Sequence, residues 1–144
     1  MTYAADSTVP VDRSRAEIER TLERYGASHF AYGSGPGEVV IMFQANSRRI
    51  KFTLPLVPPK QSSEKQIAQF MRTRWRCLLL SIKAKLETVE SGISTFETEF
   101  MPFTVLPNGQ TAAEHALPFI REAYESKKMP PLLGFGGSRA ESDK

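Results

Sequence analysis

The amino-acid sequence predicts an α+β fold: a helix, a three-stranded antiparallel sheet, a long amphipathic helix and a small C-terminal helical annex. Three observations predict it. Val39, Ile41 and Phe43 alternate with Val40, Met42 and Gln44, and Ile50, Phe52 and Leu54 alternate with Arg49, Lys51 and Thr53, the period-two pattern of half-buried strands. From Glu64 to about Ser91, apolar residues recur at helical spacing between a capping signal and Gly92. The apolar period thus changes twice along one short chain.

Taken in order, Met1 to about residue 12 has no periodicity and is expected to be a disordered tail. Ser14 and Glu17 stand at capping-box spacing, Ile18, Leu22 and Tyr25 share a helix face, and Gly26 is the stop. A short strand at "HFAYG" leads through "GSGPG" to the two alternating runs, which "ANS" joins as a tight hairpin. After Pro58-Pro59, Ser63 and Gln66 form a second capping box and open the long helix. The annex begins at about residue 93, where Ser94 with Glu97 is expected to cap a short helix that stops at Pro102. "FTVLPNGQT" reads as a strand and turn. Thr111 with Glu114 caps a last helix running to about Met129, bent or interrupted at Pro118. Residues 13–133 are expected to form one domain and residues 134–144 a second tail.

Composition narrows the possibilities. The chain has 144 residues, of which 40% are apolar, enough for one core and too few for two. Cys77 is the only cysteine, so no internal disulfide forms, which suits a reducing compartment. No signal-peptide pattern opens the chain, and no apolar run approaches the roughly 20 residues of a membrane span. The expectation is a cytoplasmic protein with no membrane partner.

Charge is segregated. Between Arg48 and Lys85 there are ten cations and one anion, Glu64; from Glu87 to Glu125 there are seven glutamates and one cation, Arg121. At about 100° per residue, Arg72 and Arg76 fall about 20° to either side of Lys65, and Lys83 returns to its line. These four make one stripe beside an apolar arc containing Trp75, Leu78, Ile82 and Leu86. A solvated helix face ordinarily mixes signs so that residues four apart attract. No acid stands between Lys65 and Lys85. With Ile50, Phe52 and Leu54 turned inward, Arg49 and Lys51 turn outward and add a second basic row. The candidate nucleic-acid-binding residues are therefore Arg49, Lys51, Lys65, Arg72, Arg76 and Lys83, a set suited to phosphate contacts without base reading. Phe30, Tyr32 and Trp75 are candidates for stacking on unpaired bases, with core packing the first reading for Trp75.

No catalytic pattern accompanies the charge. His29 and His115 are too scattered for a metal site, and Cys77 falls on the apolar border as packing. "GSGPG" lies between strands, opens no helix and lacks the spacing of a dinucleotide loop. Glu87, Glu90, Glu97 and Glu99 have no aspartate with them, unlike a metal-dependent nuclease centre. The expectation is a non-enzymatic protein with no cofactor.

The stretch "RTRWRCLLLSIKAKLETVESGISTFETEF", followed by "VLPNGQT" and "KMPPLL", resembles small phage- and prophage-encoded proteins of generally unassigned function, over Ser14 to Leu133. That resemblance implies a bacterial host cell. The order helix-strand-strand-strand-helix is similar to that of double-stranded-RNA-binding domains, and its last four elements to the core of single-strand-annealing proteins. In the first of these a lysine cluster opens the last helix and a Gly-Pro loop enters a minor groove. Here Lys65 stands alone at that helix start, and no histidine follows Gly35-Pro36. The sequence thus points first to a phage-type nucleic-acid-binding protein, DNA or RNA. The alternative is a phage-encoded protein that binds a host or phage protein, or sequesters a nucleotide signal, to inhibit a host defence system. In that case the acidic half is the working surface, or the two halves pair head to tail in a homo-oligomer.

Overall fold

A computed structural model describes residues 10–129; both expected tails lie mainly outside this range. The architecture is α+β, with helix α1 (Val11–Arg24), strands β1 (Ser28–Gly35), β2 (Glu38–Ala45) and β3 (Arg48–Pro55), helix α2 (Glu64–Glu90), a one-turn helix α3 (Phe96–Glu99), a 3₁₀ turn at Met101–Phe103 and helix α4 (Ala112–Ser126). The strands form one antiparallel sheet in sequence order.

The hairpins follow their turn residues. Asn46 and Ser47 both take positive φ, 51° and 60°, the mirror-image turn whose twist matches the strands it joins. Pro36 and Gly37 close the first hairpin, and β1 absorbs most of the glycine-rich stretch that the sequence reads as a loop. Gly37 has φ +73°, and a Cβ built there stands 2.8 Å from Val57 Cγ2. Gly37→Ala is therefore expected to lower the unfolding free energy by roughly 1–2 kcal/mol, measurable by urea denaturation.

The strand alternation sends Val39, Ile41, Phe43, Ala45, Ile50, Phe52 and Leu54 to one face, all buried. Helices α1 and α2 cover that face with Ile18, Leu22, Trp75, Leu79, Ile82 and Leu86. Glu17 of α1 meets Arg76 and Lys83 of α2, while Tyr25 just beyond α1 meets Glu90, so the two helices run parallel. The outward face keeps Met42, Gln44, Arg49 and Thr53 exposed.

Capping is partly as the sequence predicts. Both reciprocal boxes form, Ser63 with Gln66 and Thr111 with Glu114. The two others do not. Helix α1 starts at Val11, three residues before the expected cap at Ser14, and Ser14 is buried within the first turns with its amide on the Pro10 carbonyl at 3.2 Å. The N-cap of α3 is Thr95, whose hydroxyl accepts the Thr98 amide, and this leaves Glu97 to pair with Arg48.

The annex differs more. The expected strand at "FTVLP" is reduced to two isolated bridges, Ile50 to Thr104, which covers part of the free edge of β3, and Val105 to Thr111 within the annex. Helix α4 runs through Pro118 without a break and ends with Lys127 in the left-handed region. Pro118 is the seventh residue of the helix, so its missing N–H leaves the Glu114 carbonyl without its usual partner in the helix.

Candidate nucleic-acid interface

The six cations chosen from the sequence do not share a surface. Lys65, Arg72, Arg76 and Lys83 line the flank of α2 that faces α1. Arg49 and Lys51 project from the opposite face of the sheet, because α2 covers the face to which Ile50, Phe52 and Leu54 point. A strand adjacent to a helix in sequence turns its alternate residues away from that helix.

On the helix side, the stripe has a counter-ion that the sequence did not reveal. Glu17 Oε2 accepts from Arg76 Nη1 at 3.0 Å, and its Oε1 accepts from Lys83 Nζ at 3.0 Å. The three side chains are half-buried, which limits screening by water. The Lys83 hydrogen bond, ahead of its charge and of Arg76, holds the Glu17 carboxyl below its ordinary range. One carboxylate thus serves two cations and leaves one positive charge over. Arg72 donates to Gln69 Oε1 at 2.7 Å, a neutral partner that removes no charge. Lys65 is exposed.

Helix α1 adds cations that were overlooked. Arg13, Arg20 and Arg24 lie seven and four residues apart, hence on one helix face, and all three are exposed. That face adjoins Glu17; Glu17, Arg20, Glu23 and Arg24 border a single shallow depression. The spacing is legible in "RSRAEIERTLER", but the interleaved glutamates mask it in the sequence; Glu17 turns toward α2 and Glu19 toward β1. Two parallel helices therefore present Arg13, Arg20, Arg24, Lys65, Arg72, Arg76 and Lys83 against Glu17 and Glu23, with Glu87 and Glu90 beside Arg24 and Lys83 at their C-terminal ends.

The cations on the other border of α2 are occupied differently. Arg74 Nε donates to the Pro55 carbonyl at 3.0 Å and its guanidinium lies over Phe70, while Lys85 Nζ sits 5.2 Å from the Phe103 ring centre. Arg74 thus ties α2 to the end of β3, and Lys85 ties it to the 3₁₀ turn.

On the outer sheet face, Arg49 and Lys51 stand beside His29, Ala31, Met42 and Gln44, walled by Val105 and Gly109, around a cavity of about 320 Å³. His29 has φ +58° at an irregularity in the β1–β2 register. Lys51 lies near Glu114, whose carboxyl is held low first by the Thr111 backbone amide and last by the Lys51 charge.

The aromatic candidates are used internally. Trp75 is 5% exposed. Phe30 packs on Phe43 with ring centres 6.0 Å apart. The Tyr32 hydroxyl donates to Glu19 at 2.7 Å under the Arg15 guanidinium, and burial followed by the Glu19 bond pushes its phenol up to about 12. Trp75 belongs to the core, and Phe30 and Tyr32 are partly buried against it. Cys77 is partly buried on α2.

The acidic half is no single surface either. Glu97 pairs with Arg48 at 3.1 Å, Glu90 accepts from Tyr25 at 2.5 Å, and Glu114 closes a helix cap. Among the described residues, no helix is long and apolar enough to cross a membrane.

No protein family matches this chain, and neither curated proteins nor solved structures supply a match. Function is accordingly read from charge and geometry alone.

Proposed function

We propose that the chain is a non-enzymatic protein that holds the phosphate backbone of a nucleic acid on its α1–α2 face, without reading bases. One observation carries this: two parallel helices place seven cations beside four carboxylates, one of which already serves two of them. Such an excess repels itself, and a polyanion relieves it by Coulomb attraction and counter-ion release. With the aromatic rings used in the core, the contacts are to phosphate and sugar, which position a strand without specifying its sequence. Arg49 and Lys51 lie outside this interface.

The test is a fluorescence-anisotropy titration with a mixed-sequence oligonucleotide across salt concentration. If about five phosphates are held, the log–log slope is about −4 to −5 on duplex. Reversing Arg20→Glu together with Arg72→Glu is expected to weaken binding by at least about 100-fold at low salt, because each reversal both removes an attraction and adds a repulsion. Neither side chain belongs to the core, so circular dichroism should be unchanged. Wild-type affinity in the double variant rejects the interface.

A second reading, docking on another protein, is favoured by one specific observation. Helix α4 has no buried residue although it carries a continuous apolar face.

A further inference from the structure

Helix α4 runs for 15 residues, yet among the described elements it packs only on the 3₁₀ turn that precedes it. Leu117 and Ile120 are 41% and 37% exposed, and Tyr124 is 83% exposed. Its apolar positions have a regular order: Ala113, Leu117, Ile120 and Tyr124 are spaced four, three and four, the core positions of a two-heptad seam. Ala116 and Ala123, seven apart, border the seam on one side; Glu114 and Arg121, also seven apart, border it on the other.

We propose that this face is covered by α4 of a second copy of the chain, antiparallel to the first about a two-fold axis. The border residues select both the partner and the direction. In an antiparallel pair each border meets the same border of its partner, so Glu114 faces Arg121 of the other copy and Arg121 faces its Glu114, twice over by symmetry. A parallel pair would set these charges against Ala116 and Ala123 and match nothing. On the opposite border the antiparallel pair brings alanine to alanine, which lets the backbones approach closely.

The core layers agree with this register. Leu117 falls opposite Ile120 of the other copy, and Tyr124, the largest side chain, falls opposite Ala113, the smallest. Around Ala113 the structure has an apolar groove of about 400 Å³, lined by Met101, Pro102, Ala112, Ala116, Leu117 and Ile120, into which a ring from the second copy fits. Large C-terminal residues and small N-terminal ones are complementary only if the helix meets its own reverse. A single sequence that supplies both halves of a matched seam is the requirement of an isologous dimer. This inference does not depend on the nucleic-acid reading, since α4 contributes no residue to the α1–α2 face.

Sedimentation equilibrium of the full chain tests it. The wild type is expected to show a concentration-dependent mass rising toward twice the 16.1 kDa of one chain in the micromolar range. Ile120→Glu, on an exposed side chain that leaves the monomer's core untouched, is expected to weaken association at least about 30-fold. Arg121→Glu and Glu114→Lys each set like charges together and are expected to dimerise poorly alone but to associate when mixed, because the mixture restores both pairs. Because Glu114→Lys also removes a helix cap, Ile120→Glu decides independently should that variant fold poorly. A wild type that stays monomeric to several hundred micromolar overturns the proposal, whether residues 130–144 of the same chain cover the face or another protein does. A dimer indifferent to Ile120→Glu overturns it as well.

Discussion

Phe100→Ala is expected to lower the unfolding free energy by roughly 3–5 kcal/mol, a large fraction of the total for a chain of this size. Phe100 is fully buried; its ring stacks on Phe96 at 4.4 Å and meets Phe52 of β3 edge-on at 6.3 Å. Phe52 stacks in turn on Phe103 at 4.3 Å. This run of rings ties residues 96–103, which form only two short helical turns, to the sheet. Truncating the central ring leaves a cavity whose walls belong to three different elements, so collapse around it is limited. A urea titration reads the effect as a lower midpoint at similar slope. A loss below about 1 kcal/mol would show that the aromatic cluster is not the tie. Since among the described elements α4 packs only on the 3₁₀ turn within this region, the same variant is expected to impair self-association, although Phe100 is not part of the proposed seam.

Glu17→Gln is expected to move stability and binding in opposite directions. The carboxylate lies 3.0 Å from both Arg76 and Lys83, and its removal leaves two half-buried cations facing each other. Partly shielded pairs of this kind fall between the small values of exposed salt bridges and the larger ones of buried pairs, so a loss of roughly 1–2 kcal/mol is expected. The face meanwhile gains a full positive charge at its centre. Nucleic-acid affinity at low salt is expected to rise about tenfold, with a salt slope steeper by about one. Unchanged affinity with reduced stability would make the cations of α2 purely structural.

The same residue has a pH signature. The folded protein holds the Glu17 carboxyl below its ordinary value of 4.5, so on acidification the unfolded chain takes up that proton first. The contribution of Glu17 to stability is therefore complete above pH 4.5 and lost as pH falls through the lowered value. In Glu17→Gln that part of the acid transition is expected to disappear, as followed by circular dichroism between pH 5 and 2.

Much of the architecture could be read before any coordinates. Two alternating runs, the residues between them, and the Ser63 and Thr111 boxes are local signals whose physics acts within a few residues, and they placed β2, β3, α2 and α4 within a residue or two, except at the C-terminal end of α4. Other local signals had competitors of equal local merit. Ser14 has a glutamate three residues on, yet its burial against the core outweighs a cap, and Val11 extends the helix past it. At α3, Thr95 rather than Ser94 accepts the Thr98 amide, and Glu97 pairs with Arg48, 49 residues earlier.

The sequence by itself determined that cations gather along one flank of the long helix, since helical spacing places them there whatever surrounds the helix. Only the tertiary structure decided what that flank faces. It set α1 parallel to α2 so that Glu17 divides itself between Arg76 and Lys83, brought Arg13, Arg20 and Arg24 to the same side, and sent Arg49 and Lys51 to the far face of the sheet. The charge of a segment is a sum over its residues, but the field at a surface depends on distances between elements, and those are settled by how the apolar faces close on one another.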